Sequence, residues 1–595
     1  MDRITSLERF GARCSGDFSA ENLRKIREAG FNAVFVNGGC GFGPDSFFVE
    51  SMIATESIPD LMPYTVAYVK REMHRRFDLL AEYELKPYFC IWDTLGTQHS
   101  SFIQSQYIDR HTKLELRAKQ NRTPELFGKN YSWKISDPLC VSHETVQAFY
   151  DELFRKLTVE YPQLTGVMYF PGDFSYGICT DECPRCKATG LTQQERMIRH
   201  INHLRAALDE KVSLYYAFWN IEQPGAVPAI KPEIIEQTLC KLSSDIGVGI
   251  TINDNVTVER RGCSMTYLQP WGTFVQKGDL FQKAVDLCRE QNRKLMVFSE
   301  ITQSEQYDPV CSNMPFALKT LSLYRTLAEI PEVDSLVDFW GARPPYLPDA
   351  CHAVQRNLIL HPEKSDDEIL RCAVMDHYCL SENDPDLIER GLSVWKKFDE
   401  VLDSEALCGW SSRLSFAVGR CGGHGQFFLP LIPQYLRSIL HSWGAGQISF
   451  FGTSPQIYFD RRNEDAGSYL ACANEFRVFA ERLKDSGSLS GAENAAMEAL
   501  QMELYGKVIV SVARTLLAAE AFERKQNEKL RSLILDEIVA RQDLMELSRT
   551  LQPYAGIDLL LAEEDIMNMG LYLSDDSFPD SPDTLFSVTQ VILPA

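Results

Sequence analysis

The chain has no surplus of basic residues. Lys and Arg number 60 against 82 Asp and Glu in 595 residues, a formal charge of −22. Nucleic acid and anionic membrane surfaces both reward the opposite sign, so neither is expected as a partner. No apolar run approaches the length that spans a bilayer. The amino terminus, MDRITSLERFGARC, has no apolar stretch behind a basic start, so no secretory signal is read there. A disulfide framework is also missing, because the 17 cysteines are odd in number and scattered over every region. That usage fits a reducing compartment, and the expected location is cytoplasmic. Neither low-complexity linkers nor solenoid repeats interrupt the text.

Several chemistries lack their usual signatures. The histidines, among them His200, His203, His352, His361, His377 and His424, show no metal-ligand spacing around a general base. The glycine-rich GRCGGHG at 419–425 follows no strand and opens no helix, so it fails as a phosphate cradle. No Cys and His pair presents itself as a nucleophile and base. Catalysis is therefore expected to need no cofactor, and whether the chain forms a homo-oligomer is left open.

What is present is a recurring alternation of strand and helix. Apolar or aromatic runs at 10–16, 31–37, 86–96, 166–170, 212–220, 247–255, 294–302 and 334–345 read as strands, rich in β-branched and aromatic residues. Amphipathic stretches between them read as helices, beginning with SAENLRKIREAG at 19–30 behind a Ser19 cap. The helix before the fourth strand is read from Ser142, with Thr145 where a capping box would place Glu. Eight such units over about 345 residues are the count and order of a (β/α)8 TIM barrel. Residues 1–350 are assigned to that barrel, with 95–140 and 255–275 as loops on its face. From 351 to 595 the strand pattern gives way to helical text, ending in an acidic, Pro-rich tail.

In a barrel of this kind the chemistry sits at the C-terminal ends of the strands. Those ends carry Asp93, Asp173, Asp254, Glu300 and Asp338, with Trp92, Trp219, Trp271 and Trp340 in or beside them. Carboxylates among flat aromatic platforms are what glycoside chemistry requires: two acids flank the scissile bond, and indole or phenol faces stack on sugar rings. Tyr176, Asn220 and Asn253 extend the set of candidate substrate contacts. Any one of these acids also serves well as a helix cap or as partner to a rim cation such as Arg343. The collective pattern, four of the eight tryptophans at one rim, argues for a carbohydrate site.

A second motif follows the fourth strand. Cys179, Cys183 and Cys186 have the spacing C-x3-C-x2-C, which suits one face of a tetrahedral structural Zn²⁺ site. Cys40 and Cys140 are candidates for the fourth ligand, and the alternative is a loop of buried free thiols.

The text YPQLTGVMYFPGD, the cysteine-bearing loop and the helix LTQQERMIRHINHLRAAL together resemble the family 20-like superfamily of glycoside hydrolases, in particular its TIM-barrel β-N-acetylglucosaminidase branch. The later text HPEKSDDEILRCAVMDHYCLSENDPDLIERGLSVWKKFDEVL is similar to the helical domain that follows the barrel there and in the family 67 α-glucuronidases. The resemblance covers about residues 10 to 400. It implies a glycosidase with an Asp at the end of the fourth strand. Family 20 enzymes place Glu directly after that Asp, and Phe174 stands there instead, so the substrate-assisted mechanism on N-acetylhexosamines does not carry over. Asp254 and Glu300 match the water-activating carboxylates of the α-glucuronidases by strand order.

The resulting expectation is an exo-acting glycoside hydrolase for a small glycan. Asp173 is the general acid, and Glu300, with Asp254 as partner or alternate, the base or nucleophile. The rival readings are a catalytically silent carbohydrate-binding barrel and a metal-dependent lyase or hydrolase.

Overall fold

The structure is a computed structural model. It describes residues 1–5, 18–37, 47, 49–58, 63–92, 125–126, 129–130, 139–170, 183–218, 232–253, 256–266, 275–299, 314–338, 349–405, 431–433, 436, 454–551, 559–575 and 578. Eight parallel strands close into a barrel: β1 (Asp2–Thr5), β2 (Ala33–Phe35), β3 (Lys86–Trp92), β4 (Gly166–Phe170), β5 (Ser213–Ala217), β6 (Ile246–Thr251), β7 (Leu295–Ser299) and β8 (Val333–Asp338). Each strand pairs with its neighbours in sequence, and β1 pairs with both β2 and β8 to close the ring. The architecture is the (β/α)8 barrel expected from the alternation, followed by helices.

Two expectations need correction. The first strand is Asp2–Thr5, not the run at 10–16, which lies outside the described residues. The short text DRIT carries little apolar signal by itself, and it becomes a strand because β2 and β8 present two free edges to it. The helix before β4 runs Glu144–Glu160 and is capped by His143, whose Nδ1 accepts from the Thr145 backbone N–H at 3.1 Å, rather than by Ser142. Ser19 does cap the first helix, its hydroxyl accepting from the Asn22 N–H at 3.2 Å.

Alternation along the strands separates two apolar sets. Tyr88, Met168, Phe170, Tyr215, Met296 and Phe298 belong to a cluster inside the barrel, whereas Phe89, Val167, Tyr169, Leu214 and Val297 join the larger core beneath the helices. The lumen is filled by rings, and glycine makes the space. A Cβ on Gly166 would lie 2.5 Å from Tyr88 Cε1, and one on Gly249 would lie 2.5 Å from Phe298 Cζ. At the N-terminal mouth the Tyr88 hydroxyl donates to Asp2 and the Tyr215 hydroxyl to Asp334, each at 2.7 Å. Burial pushes the Asp334 carboxyl above its ordinary value. This end is plugged by packed, paired groups, which leaves the opposite end for chemistry.

Beyond β8 the chain is helical. Ala350–Leu360, Asp366–His377 and Pro385–Ser404 lead to the long helices Pro455–Asp485, Leu489–Glu523 and Asn527–Leu551. Ser365 and Glu368 close a capping box at the second of these. The helices are tied to the barrel at named points. Gln355 Nε2 donates to the Ala29 carbonyl at 2.7 Å and its Oε1 accepts from the Tyr324 hydroxyl at 2.5 Å. A hairpin after β6, Thr257–Arg260 against Cys263–Thr266, turns through Arg261 and Gly262 at positive φ, the geometry of a tight hairpin turn. Its Arg260 donates to the Leu402 carbonyl at 3.0 Å, and Arg261 reaches Asp465 and Glu464. Among the described residues no helix is long and apolar enough to cross a membrane. The glycine-rich stretch at 419–425 and most of the C-terminal tail lie outside the described residues.

Candidate active site

The lumen changes character toward the C-terminal ends of the strands. Phe170 of β4 and Phe298 of β7 meet across it with ring centroids 5.3 Å apart and form an aromatic floor. Just at and beyond that level the buried set turns polar: on the lumen side Asn37 follows β2, Thr251 ends β6 and Asn253 lies two positions further, while Ser299 and Asp338 end β7 and β8 on the helix-facing side. Burying hydroxyls and amides is unfavourable unless they serve a partner, so their collection at one end marks where polar chemistry is seated. Thr251 is in register with Phe298 and so faces the lumen, 1% exposed, its hydroxyl without a hydrogen-bond partner among the described residues. Asn37 has a structural task. Its amide donates to the Cys90 and Phe47 carbonyls at 2.8 and 3.2 Å and accepts from the Cys90 N–H at 3.0 Å, which pins the segment after β2 to β3.

Asp338 is placed differently from its expected role as a substrate contact. It is in register with Ser299 and Thr5, one position beyond the lumen-facing Val337. Strand alternation therefore puts it on the helix-facing side of the wall, where it is 1% exposed. Its charge contributes, after burial, to raising the Tyr324 phenol on the adjoining helix.

Asp93, Asp173, Tyr176, Trp219, Asn220, Asp254, Trp271, Glu300 and Trp340 lie outside the described residues, as does the side chain of Trp92. The structure does describe the residues that lead to them. Trp92 ends β3 in register with Phe170, Phe170 ends β4 ahead of Asp173, Phe218 precedes Trp219, Asn253 precedes Asp254 and Ser299 precedes Glu300. Because the strands are parallel in a closed barrel, the chain leaves all of them at the same end.

Behind β4 stands a buried polar cluster that the sequence alone did not single out. The Tyr150 hydroxyl donates to Glu50 at 2.9 Å, and burial raises the Glu50 carboxyl above its ordinary value. His200 packs edge-on against Tyr150 and Tyr169, at 5.0 and 6.1 Å between ring centroids. Burial, with a smaller contribution from His203, lowers His200 to about 3. Glu50 and Tyr150 are far apart in sequence, so no local spacing announces them.

The cysteines fall partly as expected. Cys183 and Cys186 converge with Cys140, one of the two residues considered as a fourth ligand, and the three sulfurs lie within 4.8 Å of one another. Cys179 and Cys40 lie outside the described residues.

The fold is shared with a family 138 glycoside hydrolase. That enzyme, described as targeting pectin rhamnogalacturonan II, matches with a TM-score of 0.54 at 11% identity over 96% of this chain and 84% of its own. The match extends past the barrel into the helices of this chain. More distant likenesses include an O-GlcNAc hydrolase of Thermobaculum terrenum (TM-score 0.38, 10% identity, 96% of this chain and 93% of that one) and the catalytic domain of a β-amylase from Paenibacillus polymyxa (0.36, 11%, 61% and 99%). No protein-family model and no curated protein matches the chain.

Proposed function

We propose that the protein is a glycoside hydrolase that removes residues from the end of a small glycan, in a reducing cytoplasm and without a cofactor for the chemical step. The observation that carries this reading is the polar switch at the C-terminal end of a closed barrel, at strand ends that the sequence continues into carboxylates and tryptophans. The fold held in common with a pectin-directed glycoside hydrolase supports it, and points to acidic plant-type oligosaccharides as the first substrates to try.

In this reading Asp173 is the general acid, and Glu300, with Asp254 as partner or alternate, activates water or attacks the anomeric carbon. Trp92, Trp219, Trp271, Trp340 and Tyr176 stack on sugar faces, while Asp93, Asn220 and Asn253 take hydroxyls. The kinship with the family 20-like superfamily rests on Gly166 to Asp173 and the helix after it, with Phe174 marking a different proton-transfer arrangement.

The test is a panel of aryl glycosides and pectin-derived oligosaccharides, assayed with the intact chain and with Asp173→Asn and Glu300→Gln. Release from one sugar that falls at least about a hundredfold in each variant is expected if these are the acid and the base. Near-normal rates in Asp173→Asn sink the assignment. Binding without release favours the silent barrel, and release that survives exhaustive chelation excludes a metal-dependent enzyme.

A further inference from the structure

We propose that Cys140, Cys183 and Cys186 form a thiolate site for a thiophilic divalent cation, Zn²⁺ by chemical preference, that clamps the exit of the β4 segment. The three sulfurs come from two separate pieces of chain. Cys140 precedes the helix Glu144–Glu160, and Cys183 and Cys186 stand at the start and in the body of the short helix Pro184–Ala188. The side chains are 0, 2 and 0% exposed and make a buried cluster of their own, apart from both apolar cores.

The separations favour a shared ion over a covalent bridge. Cys140 Sγ lies 3.8 Å from Cys183 Sγ and 3.6 Å from Cys186 Sγ. Zinc–thiolate bonds of about 2.3 Å arranged tetrahedrally have sulfur–sulfur edges of about 3.8 Å. A disulfide needs about 2.05 Å. Three buried thiols around one point also leave an odd sulfur whichever pair is oxidised, whereas one cation engages all three. Binding converts the thiols to thiolates and releases their protons to water.

The position gives the ion a purpose. The chain enters 171–182, which contains Asp173, from Phe170 of β4 and leaves it into Cys183. A strand fixes one end of that segment, and a metal shared with Cys140 fixes the other against the segment that precedes the Glu144–Glu160 helix. Hydrogen bonds support the arrangement: in the backbone the Lys187 N–H donates to the Cys183 carbonyl at 2.9 Å and the His143 N–H to the Cys140 carbonyl at 2.8 Å, and between side chains the Cys186 thiol donates to the Ser142 hydroxyl at 3.3 Å. The inference stands whether or not the protein hydrolyses glycosides.

The experiment uses the full chain, produced with added zinc salt and purified under reductant. Stoichiometric zinc after gel filtration is expected. Exchange into cobalt should produce an intense near-ultraviolet thiolate-to-cobalt absorption. Cys183→Ser and Cys186→Ser should lose the metal, and Cys240→Ser, at an exposed thiol, should keep it. Should the first two variants fail to fold, the zinc content and cobalt spectrum of the unaltered chain decide the matter. Folded chain that takes up neither ion, cobalt bound without a thiolate band, or a disulfide from Cys140 to either partner in freshly purified protein would each overturn the proposal.

Discussion

At the scale of single residues, volume and charge inside the barrel set the tolerances. Gly249 has the Phe298 ring where a side chain would go, with an added Cβ 2.5 Å from Cζ, and that ring is already packed on Phe170. Gly249→Ala should therefore destabilise by about 1–3 kcal/mol, seen as a lower denaturant midpoint at unchanged slope. Gly467 is the control. It lies inside the helix Pro455–Asp485 with no atom within 4 Å of an added Cβ, so Gly467→Ala should stabilise by about 0.5–1 kcal/mol. A midpoint shift of the same sign in both variants would contradict the packing argument.

His200 makes a pH prediction whose sign follows from its environment. Burial lowers its folded-state value to about 3 from an ordinary 6.5, so the unfolded chain binds the proton more readily. The stability this group contributes is complete above about pH 6.5 and is lost as the pH falls toward 3, at roughly 1.4 kcal/mol for each pH unit in that window. His200→Gln should flatten the acid limb of the stability curve by that slope, measured by denaturant unfolding between pH 7 and pH 4. An unchanged limb would show that His200 is not buried as a neutral ring.

Among elements, the helices after the barrel are organised by buried carboxylates. Glu405 accepts from Arg462 at 2.6 Å, from Tyr469 at 2.7 Å and from Tyr505 at 3.0 Å, joining the end of Pro385–Ser404 to two long helices. Burial pushes Glu405 up, and Arg462 opposes it. The carboxylate and guanidinium are both fully buried, and Arg462 also meets the buried Asp465 at 3.2 Å, so removing Glu405 leaves a buried charge only partly compensated. Glu405→Ala should cost about 3–5 kcal/mol, while Glu405→Leu with Arg462→Met should recover much of the loss. The difference between the two in thermal midpoint is the measurement. A second carboxylate, Glu498, sits 2.9 Å from His377 and accepts from Tyr378 at 2.7 Å, and Tyr378 in turn accepts from the Trp395 indole at 2.8 Å. Trp395, which lies in the helical text and apart from the rim tryptophans, is thus a fully buried core residue of the helical region.

For the whole molecule, barrel and helices share hydrogen bonds at several separated points: Gln355 with Ala29 and Tyr324, Arg260 with Leu402, and Lys319 with Asp403 at 2.8 Å. Coupling of this kind predicts one calorimetric unfolding transition. Two resolved transitions would show that the parts unfold independently. The same ties give the helical region a stake in the site, because the hairpin it holds follows β6, the strand that leads to Asn253 and Asp254.

The sequence by itself determined the count and order of the elements. Seven of the eight strands carry their own apolar or aromatic run, and the period of strand, helix and strand admits few alternatives to a closed parallel barrel. It also offered candidate acids at the strand ends and a cysteine loop after the fourth strand, since strand ends are legible wherever an apolar run stops at a polar residue. Tertiary structure decided what local text does not encode. DRIT is a strand because two edges await it, and Asp338 faces the helices because register fixes its side of the wall. Cys140 joins Cys183 and Cys186, and Glu50 meets Tyr150, across long stretches of chain, because closing the barrel brings the elements that carry them together. The physical reason is common to all four: periodicity is a local property, whereas which surfaces meet is settled only when the ring closes.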